Sequence, residues 1–305
     1  MAVMNFNSLN SLPRPDWIRA KAFWGENSGE VRDLLEKLGL NSVCVEAACP
    51  NRSECWEARH VTFMILGDVC TRGCRFCNIE GGSPGAPDPC EPRNVARAVK
   101  RLGTKYAVIT SVTRDDLKDR GAGQFARTVR EIKTEAPGTL VELLIPDLDA
   151  DPGLLREVAF SGAEVIGHNI EIPGVLYGDV RPEADYGRSL DTLKILSASK
   201  AEGAGILVKS SIMLGLGEAE KDILKTLEDL KAAGADIVYM GQYLSPSVRH
   251  WPVKRYYSPE EFRSLEETAG RMGFGAVCAG PLVRSSYRAY EAYRTCAGTV
   301  TEPAS

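Results

Sequence analysis

Residues 61–77 read VTFMILGDVCTRGCRFC. The first nine are apolar, partly β-branched and too few for a core helix, which predicts a strand buried on both faces. Cys70, Cys74 and Cys77 begin where that strand ends. Outward from it, the strand-like pattern returns at YAVITSV (106–112), LVELLIPDL (140–148), EVIGHNIEI (164–172), ILVKSSIML (206–214) and DIVYMGQYL (236–244). Helical segments are predicted after them, at 91–103, 122–136, 153–161, 186–202, 218–233 and 258–272. Six βα units with connections too long for hairpins predict an α/β protein with a parallel sheet. Serial right-handed crossovers curl such a sheet into a partial (β/α)6 TIM-type barrel, with an open doubly wound sheet as the alternative.

In either arrangement ligands collect beyond the carboxyl ends of the strands, which puts Cys70, Cys74 and Cys77 at a barrel mouth. Upstream, CVEAACPNRSEC places Cys44, Cys49 and Cys55 at C-x4-C-x5-C spacing. A short helix at 30–38 precedes it, with Val31, Leu34, Leu35 and Leu38 at helical spacing and Gly39 as a stop. Residues 1–58 therefore read as an N-terminal extension carrying its own metal centre, 59–274 as the barrel, and 275–305 as a short C-terminal extension. Within the first of these, residues 1 to about 30 carry Pro13, Pro15, Trp17 and Trp24 among polar residues and suit an arm lying over a surface.

Neither cysteine triplet supplies four ligands. A structural zinc is closed by four, and a [4Fe-4S] cluster has four irons, so three cysteines leave one iron open. Triplets without neighbouring histidines favour iron–sulfur over zinc. At the second triplet, the open iron can be chelated by the amine and carboxylate of S-adenosylmethionine. An electron passed into the sulfonium then releases a 5′-deoxyadenosyl radical, able to abstract unactivated hydrogen. C-x3-C-x2-C resembles the signature of the radical S-adenosylmethionine enzymes.

Nine cysteines in 305 residues are too sparse for a disulfide scaffold and suit a reduced, cytosolic setting. The chain is 44% hydrophobic and 26% charged, enough for an ordinary core. A net charge of −4 argues against gripping nucleic acid by bulk electrostatics. No stretch reads as a signal peptide or a membrane span, so a cytoplasmic protein with no membrane partner is expected.

Strand ends nominate further residues: Ser111, Thr113, Arg114 and Asp115 after the second strand, Asn169 and Glu171 after the fourth, Gln242 after the sixth. Each also fits a cap or turn role. GLGE (215–218) lacks the residues of a phosphate loop and reads as a tight turn. With only His60, His168 and His250, histidine-rich metal sites are improbable, and His168 equally suits a structural role. Cys90, Cys278 and Cys296 are isolated, and Cys278 reads as a small buried residue.

The triplets, VITSVTRDDL (108–117), GAGQFA (121–126), LIPDL (144–148), GHNIE (167–171), VRPEADYGRSL (180–190), KSSIMLGLGE (209–218), GQYLSPS (241–247), PVKRY (252–256) and GPLVRSSY (280–287) together resemble the lipoyl synthase family. The resemblance runs from about Val43 to Ala289. It implies two [4Fe-4S] clusters: one on Cys70, Cys74 and Cys77 that binds S-adenosyl-L-methionine, and an auxiliary one on Cys44, Cys49, Cys55 and the first serine of RSSY, Ser285. From the residues alone, 284–286 read as a polar turn. A serine oxygen is a harder ligand than thiolate and suits an iron that must leave.

The implied reaction is radical insertion of two sulfur atoms at C6 and C8 of an octanoyl group on a lysine of a lipoyl carrier protein, the auxiliary cluster supplying the sulfur. This is the final step of protein lipoylation. Asn169, Glu171 and Arg188 are the residues expected to position S-adenosylmethionine, Arg188 by pairing its carboxylate. Implied partners are octanoylated glycine cleavage H protein or 2-oxoacid dehydrogenase E2 lipoyl domains, a ferredoxin- or flavodoxin-type electron donor and an iron–sulfur carrier protein. Ser211, where a glycine is expected, and Cys90 depart from the family pattern without touching the seven ligands. Alternatives are a sulfur-inserting radical enzyme of the biotin synthase or methylthiotransferase type, and a non-catalytic metal-binding module.

Overall fold

The computed structural model describes residues 12–19 and 25–300. The segment read as an arm therefore lies partly outside them, at 1–11 and 20–24; within its described part the Trp17 indole N–H donates to the Tyr257 carbonyl at 3.2 Å. Seven strands form one parallel sheet in sequence order: β1 Thr62–Ile65, β2 Tyr106–Ser111, β3 Leu140–Leu144, β4 Val165–Gly167, β5 Leu207–Leu214, β6 Ile237–Gln242 and β7 Ala276–Gly280. A two-residue strand, Asn41–Ser42, pairs antiparallel with β1 and forms the opposite edge. The six expected strands are present, and β7 extends the partial barrel by one. It lies in the stretch read as a C-terminal extension.

The helices cover the outer face. Glu91–Leu102 buries Val95, Ala96, Val99 and Leu102 on one stripe, each such side chain contributing about 1.5–3 kcal/mol when fully withdrawn from water, less for alanine. Gly103 ends this helix in the left-handed region at φ 62°, its amide donating to Lys100 at 3.2 Å. Ser258 starts the helix Pro259–Arg271 with a reciprocal box: its hydroxyl accepts from the Glu261 amide and the Glu261 carboxylate accepts from its own amide.

The C-terminal helix Ala289–Val300 closes the barrel at the amino ends of the strands. Tyr290 and Tyr293 pack on Tyr106, the first residue of β2, with ring centroids 5.7 and 5.8 Å away. Above them lies a buried ionic layer. The Tyr106 hydroxyl donates to Glu142 at 2.7 Å, and the Lys209 ammonium meets the same carboxylate at 2.7 Å while lying 4.1 Å from the Tyr239 ring centre. With that end stoppered, the carboxyl-end mouth is the open end of the barrel.

Candidate functional site

The second triplet occupies the loop between β1 and the helix Glu91–Leu102. The pairing of Val69–Cys70 with Glu80–Gly81 pinches this loop, and the Cys70 carbonyl accepts from the Gly82 amide at 2.8 Å. The Cys70 sulfur receives two backbone N–H groups, Arg72 and Thr113, both at 3.4 Å. Such donors stabilise a thiolate or a cluster-bound sulfur. Burial pushes the Cys74 thiol up despite nearby Arg181, and pushes Cys77 up to about 12. Thiols so placed stay neutral unless a bound cation draws them into thiolates.

Arg72, inside the triplet, is clamped by carboxylates from two strand ends: Asp115 at 2.8 and 2.9 Å, and Asp147 at 2.7 and 2.9 Å. Asp147 is 1% exposed and also accepts from the Arg188 guanidinium at 2.9 Å. It precedes three non-glycine residues in the left-handed region, Leu148, Asp149 and Ala150, a conformation that costs of order 1 kcal/mol or more per residue. Asp149 in turn reaches Arg120 at 2.6 Å and Arg188 at 3.7 Å.

Asn169 and Glu171 are brought together: the Asn169 amide donates to the Glu171 carboxylate at 3.1 Å. Glu171 has φ 67° and bridges to β5, donating its amide to the Ser211 carbonyl at 3.0 Å. Burial pushes its carboxyl up, opposed by Arg181 and Asn169. Arg181 donates to the Ile170 carbonyl at 3.1 Å and the Tyr177 hydroxyl at 3.0 Å. Among the described residues the Asn169 Oδ1 and Arg181 Nε are buried with no hydrogen-bond partner. Orphaned polar atoms beside a cysteine triplet fit a polar ligand such as S-adenosylmethionine. Arg188 makes its contacts with Asp147 and Asp149.

The remaining strand-end candidates divide. Thr113 and Asp115 serve the cysteine loop: the Thr71 hydroxyl contacts both at 3.1 Å. Arg114 is 2% exposed and holds the Leu66 and Gly85 carbonyls, a structural role. Ser111 carries a buried hydroxyl without a partner. Gln242 is fully buried on backbone groups of Leu214, Arg255 and Tyr257. Glu218 fills the GLGE turn, accepting from the amides of Gly215, Leu216 and Gly217. Cys90 is exposed, Cys296 is buried, and Cys278 is half-buried rather than enclosed.

His168 is structural. Its Nδ1 lies 3.0 Å from the Ile145 carbonyl, and burial lowers its pKa from 6.5 to about 4. The unfolded chain therefore binds a proton that the folded chain refuses. Stability is expected to fall by about 3 kcal/mol as pH drops from about 6.5 to about 4, and His168→Gln to flatten that segment of a urea-midpoint profile.

The first triplet lies near the amino end of β1. Ser42 caps the turn at Cys44, its hydroxyl accepting from the Cys44 amide at 3.2 Å and donating to the Thr62 carbonyl at 2.9 Å. Cys44, Cys49 and Cys55 line a cavity of about 120 Å3 with Arg284 and Ser286. Burial, then neighbouring Cys44, pushes Cys49 up, and the same causes push Cys55 up to about 12. Three cysteines in one enclosure, as thiolates, would balance the charge of an iron–sulfur core, and Arg52 and Arg284 face the anionic complex so formed. Among the described residues no three His, Cys, Asp or Glu side chains are spaced for a single metal ion.

The RSSY turn is tied to this cavity from three sides. Asn51 donates to the Leu282 carbonyl at 2.7 Å, Thr62 to the Ser286 hydroxyl at 3.0 Å, and Tyr287 to Glu54 at 3.3 Å. Ser285, half-buried, sits in the turn between Arg284 and Ser286. A Cβ at Gly241 in β6 would overlap the Val283 carbonyl oxygen. Gly241→Ala is therefore expected to displace the turn, costing about 1–3 kcal/mol and reducing iron bound at the first triplet, read by melting and iron analysis.

Residues 64–230 match the Radical SAM superfamily. Among solved structures, methylornithine synthase aligns with a TM-score of 0.54 at 15% identity, covering 92% of this chain and 95% of that one. A maturase of the [FeFe]-hydrogenase aligns at 0.53 and 14% identity, over 78% of this chain and 62% of that one. These likenesses support the partial barrel. Sequence similarity is far closer elsewhere. Lipoyl synthase of Acidothermus cellulolyticus is 47% identical over 289 residues, 95% of this chain and 88% of that protein. Those of Mycobacterium avium and Alkaliphilus metalliredigens are 48% and 46% identical, each over 93% of this chain and over 91% and 97% of their own lengths. With both cysteine triplets and the RSSY turn in place along that shared length, this chain belongs to the lipoyl synthase family.

Proposed function

We propose that the chain inserts two sulfur atoms at C6 and C8 of an octanoyl group held on a lysine of a lipoyl carrier protein. The observation that supports this best is the pair of separate thiol enclosures, one at the mouth and one under the RSSY turn. Acid–base residues cannot usefully remove hydrogen from saturated carbon, so the reaction calls for a radical. When bound, the cluster at the mouth with S-adenosylmethionine supplies a 5′-deoxyadenosyl radical, and the auxiliary cluster supplies sulfide.

The chain's residues bind and orient. Cys70, Cys74 and Cys77 hold the first group, with amide donors trained on Cys70. Asn169 and Glu171 present a polar pair to S-adenosylmethionine, and Arg188 offers its carboxylate a guanidinium on exchanging Asp147. Cys44, Cys49, Cys55 and Ser285 hold the auxiliary group. The physiological carriers in this reading are H protein or E2 lipoyl domains, with a ferredoxin- or flavodoxin-type donor and an iron–sulfur carrier protein for rebuilding. No helix among the described residues is long and apolar enough to cross a membrane; this reading sets the reaction in the cytoplasm.

The test is mass spectrometry of an octanoyl-lysine peptide after anaerobic, reductive turnover. Gain of two sulfurs is expected, with loss of two hydrogens once the dithiol product is oxidised to the cyclic disulfide, from protein carrying about eight irons per chain. Colourless, zinc-loaded protein with no S-adenosylmethionine cleavage would end this reading.

A further inference from the structure

The loop that follows β6, residues 243–258, leans back onto the cysteine loop and is pinned there. The Trp251 amide donates to the Arg75 carbonyl at 2.7 Å, and its indole N–H to the Leu216 carbonyl at 2.8 Å. The Tyr243 hydroxyl donates to the Trp251 carbonyl at 2.7 Å, and the Lys254 amide to the Gly215 carbonyl at 2.8 Å. Bonds to two other strand-end loops make this a stiff rim of the mouth.

Its outward residues have an unusual composition. Val248 is 72% exposed, the highest among the large apolar side chains described, and Arg249 beside it is exposed. Lys254 on the same loop and Arg75 across the Trp251 bond are exposed as well. Among the described residues none of these three cations has a side-chain ion pair or hydrogen bond, whereas Arg255 between them and the next helix is paired with Glu261. Glu218 on the adjoining loop is occupied by backbone amides. Exposed acids follow β4, Asp179 and Glu183, and the Glu183 carboxylate is taken up by the Gly73 amide of the cysteine loop.

Three cations without side-chain partners among the described residues, on this loop and the loop bonded to it, together with one exposed apolar residue, attract a partner of opposite charge and fix its orientation. The whole chain carries −4, so an acidic partner is repelled elsewhere and drawn to this rim. We infer that Arg75, Arg249, Lys254 and Val248 form the docking rim for an acidic carrier domain, which thereby feeds its octanoyl-lysine into the mouth. The inference rests on the function proposed above, and adds where the carrier sits and which charge it bears.

The test compares two substrates on anaerobic holoenzyme: an acidic carrier domain bearing octanoyl-lysine, and a short neutral octanoyl-lysine peptide. The double variant Arg249→Glu/Lys254→Glu is expected to raise KM for the carrier at least about tenfold and to abolish most of the fall in kcat/KM with added salt. Peptide turnover and reductive cleavage of S-adenosylmethionine stay at wild-type levels. Arg249→Lys with Lys254→Arg restores carrier kinetics. Wild-type carrier kinetics at low salt in the reversed variant would overturn the inference, as would an equal loss on peptide and carrier. Absence of sulfur insertion by the wild type on both substrates counts against the proposed function instead, so the two failures are distinguishable.

Discussion

Ser285→Ala is expected to leave reductive cleavage of S-adenosylmethionine in place and to eliminate sulfur insertion. The two enclosures have different braces: the second triplet is held by Arg72, Asp115 and Asp147, the first by Asn51, Thr62 and the RSSY turn, and the Asn78 amide bonded to the Glu46 carbonyl at 2.6 Å links the two segments away from that turn. A change in the turn therefore spares the first half of the chemistry. Ser285→Cys is expected to fail too, because a thiolate holds iron more tightly than an alkoxide and opposes release of the sulfide. The loss in both should exceed the roughly 10–100-fold typical of a residue that only orients a ligand. Ser286→Ala is the control. It removes one hydrogen bond to Thr62, worth about 1 kcal/mol, and should keep measurable lipoyl product. Wild-type product from both Ser285 variants, by mass spectrometry, would remove that residue from the mechanism.

Periodicity reveals an element when its residues are large enough to write a pattern. The first six strands are rich in large apolar and β-branched residues, and each lies within the stretch expected. Strand β7 is AVCAG, whose small residues carry little strand preference; its pairing with β6 fixes it from outside. The C-terminal helix escaped for a related reason: its glycine and threonines weaken it locally, and it is held by Tyr290 and Tyr293 against Tyr106. The two cysteine triplets were legible because such spacing is itself a metal-site signal. The supports were not. Arg72 and Asp147 meet across 75 residues, and Arg181 reaches the mouth from a turn with no helical or strand periodicity. The left-handed φ of Glu171 is equally silent in sequence, since it depends on the bridge to β5.

Asp147→Ala is expected to destabilise the chain by about 3–5 kcal/mol, because it strips a buried guanidinium of its enclosed partner. Arg72 is 6% exposed, and its other main partner, Asp115, is 36% exposed and better screened by water. Burial works against the charge on Asp147, yet the Arg72 hydrogen bonds outweigh it and hold that carboxyl well below the usual carboxylate range. The carboxylate therefore stays ionised through neutral and mildly acidic pH, and its contribution fades only as pH falls below the ordinary carboxylate value of about 4. That window lies beneath the one assigned to His168, so the two losses separate along a pH series. The same substitution frees the loop carrying Cys70, Cys74 and Cys77. Iron should fall from about eight to about four per chain, with S-adenosylmethionine cleavage lost and the auxiliary cluster retained. Replacing Arg72 and Asp147 together by apolar residues of similar volume can recover most of the stability, since a buried ion pair is often no better than good packing. If the pair positions the cysteine loop, that double variant melts near the wild type and still fails to cleave S-adenosylmethionine. Full cleavage by a stable double variant would reduce the clamp to a fold contact, and an unchanged urea midpoint in Asp147→Ala would dismiss it altogether.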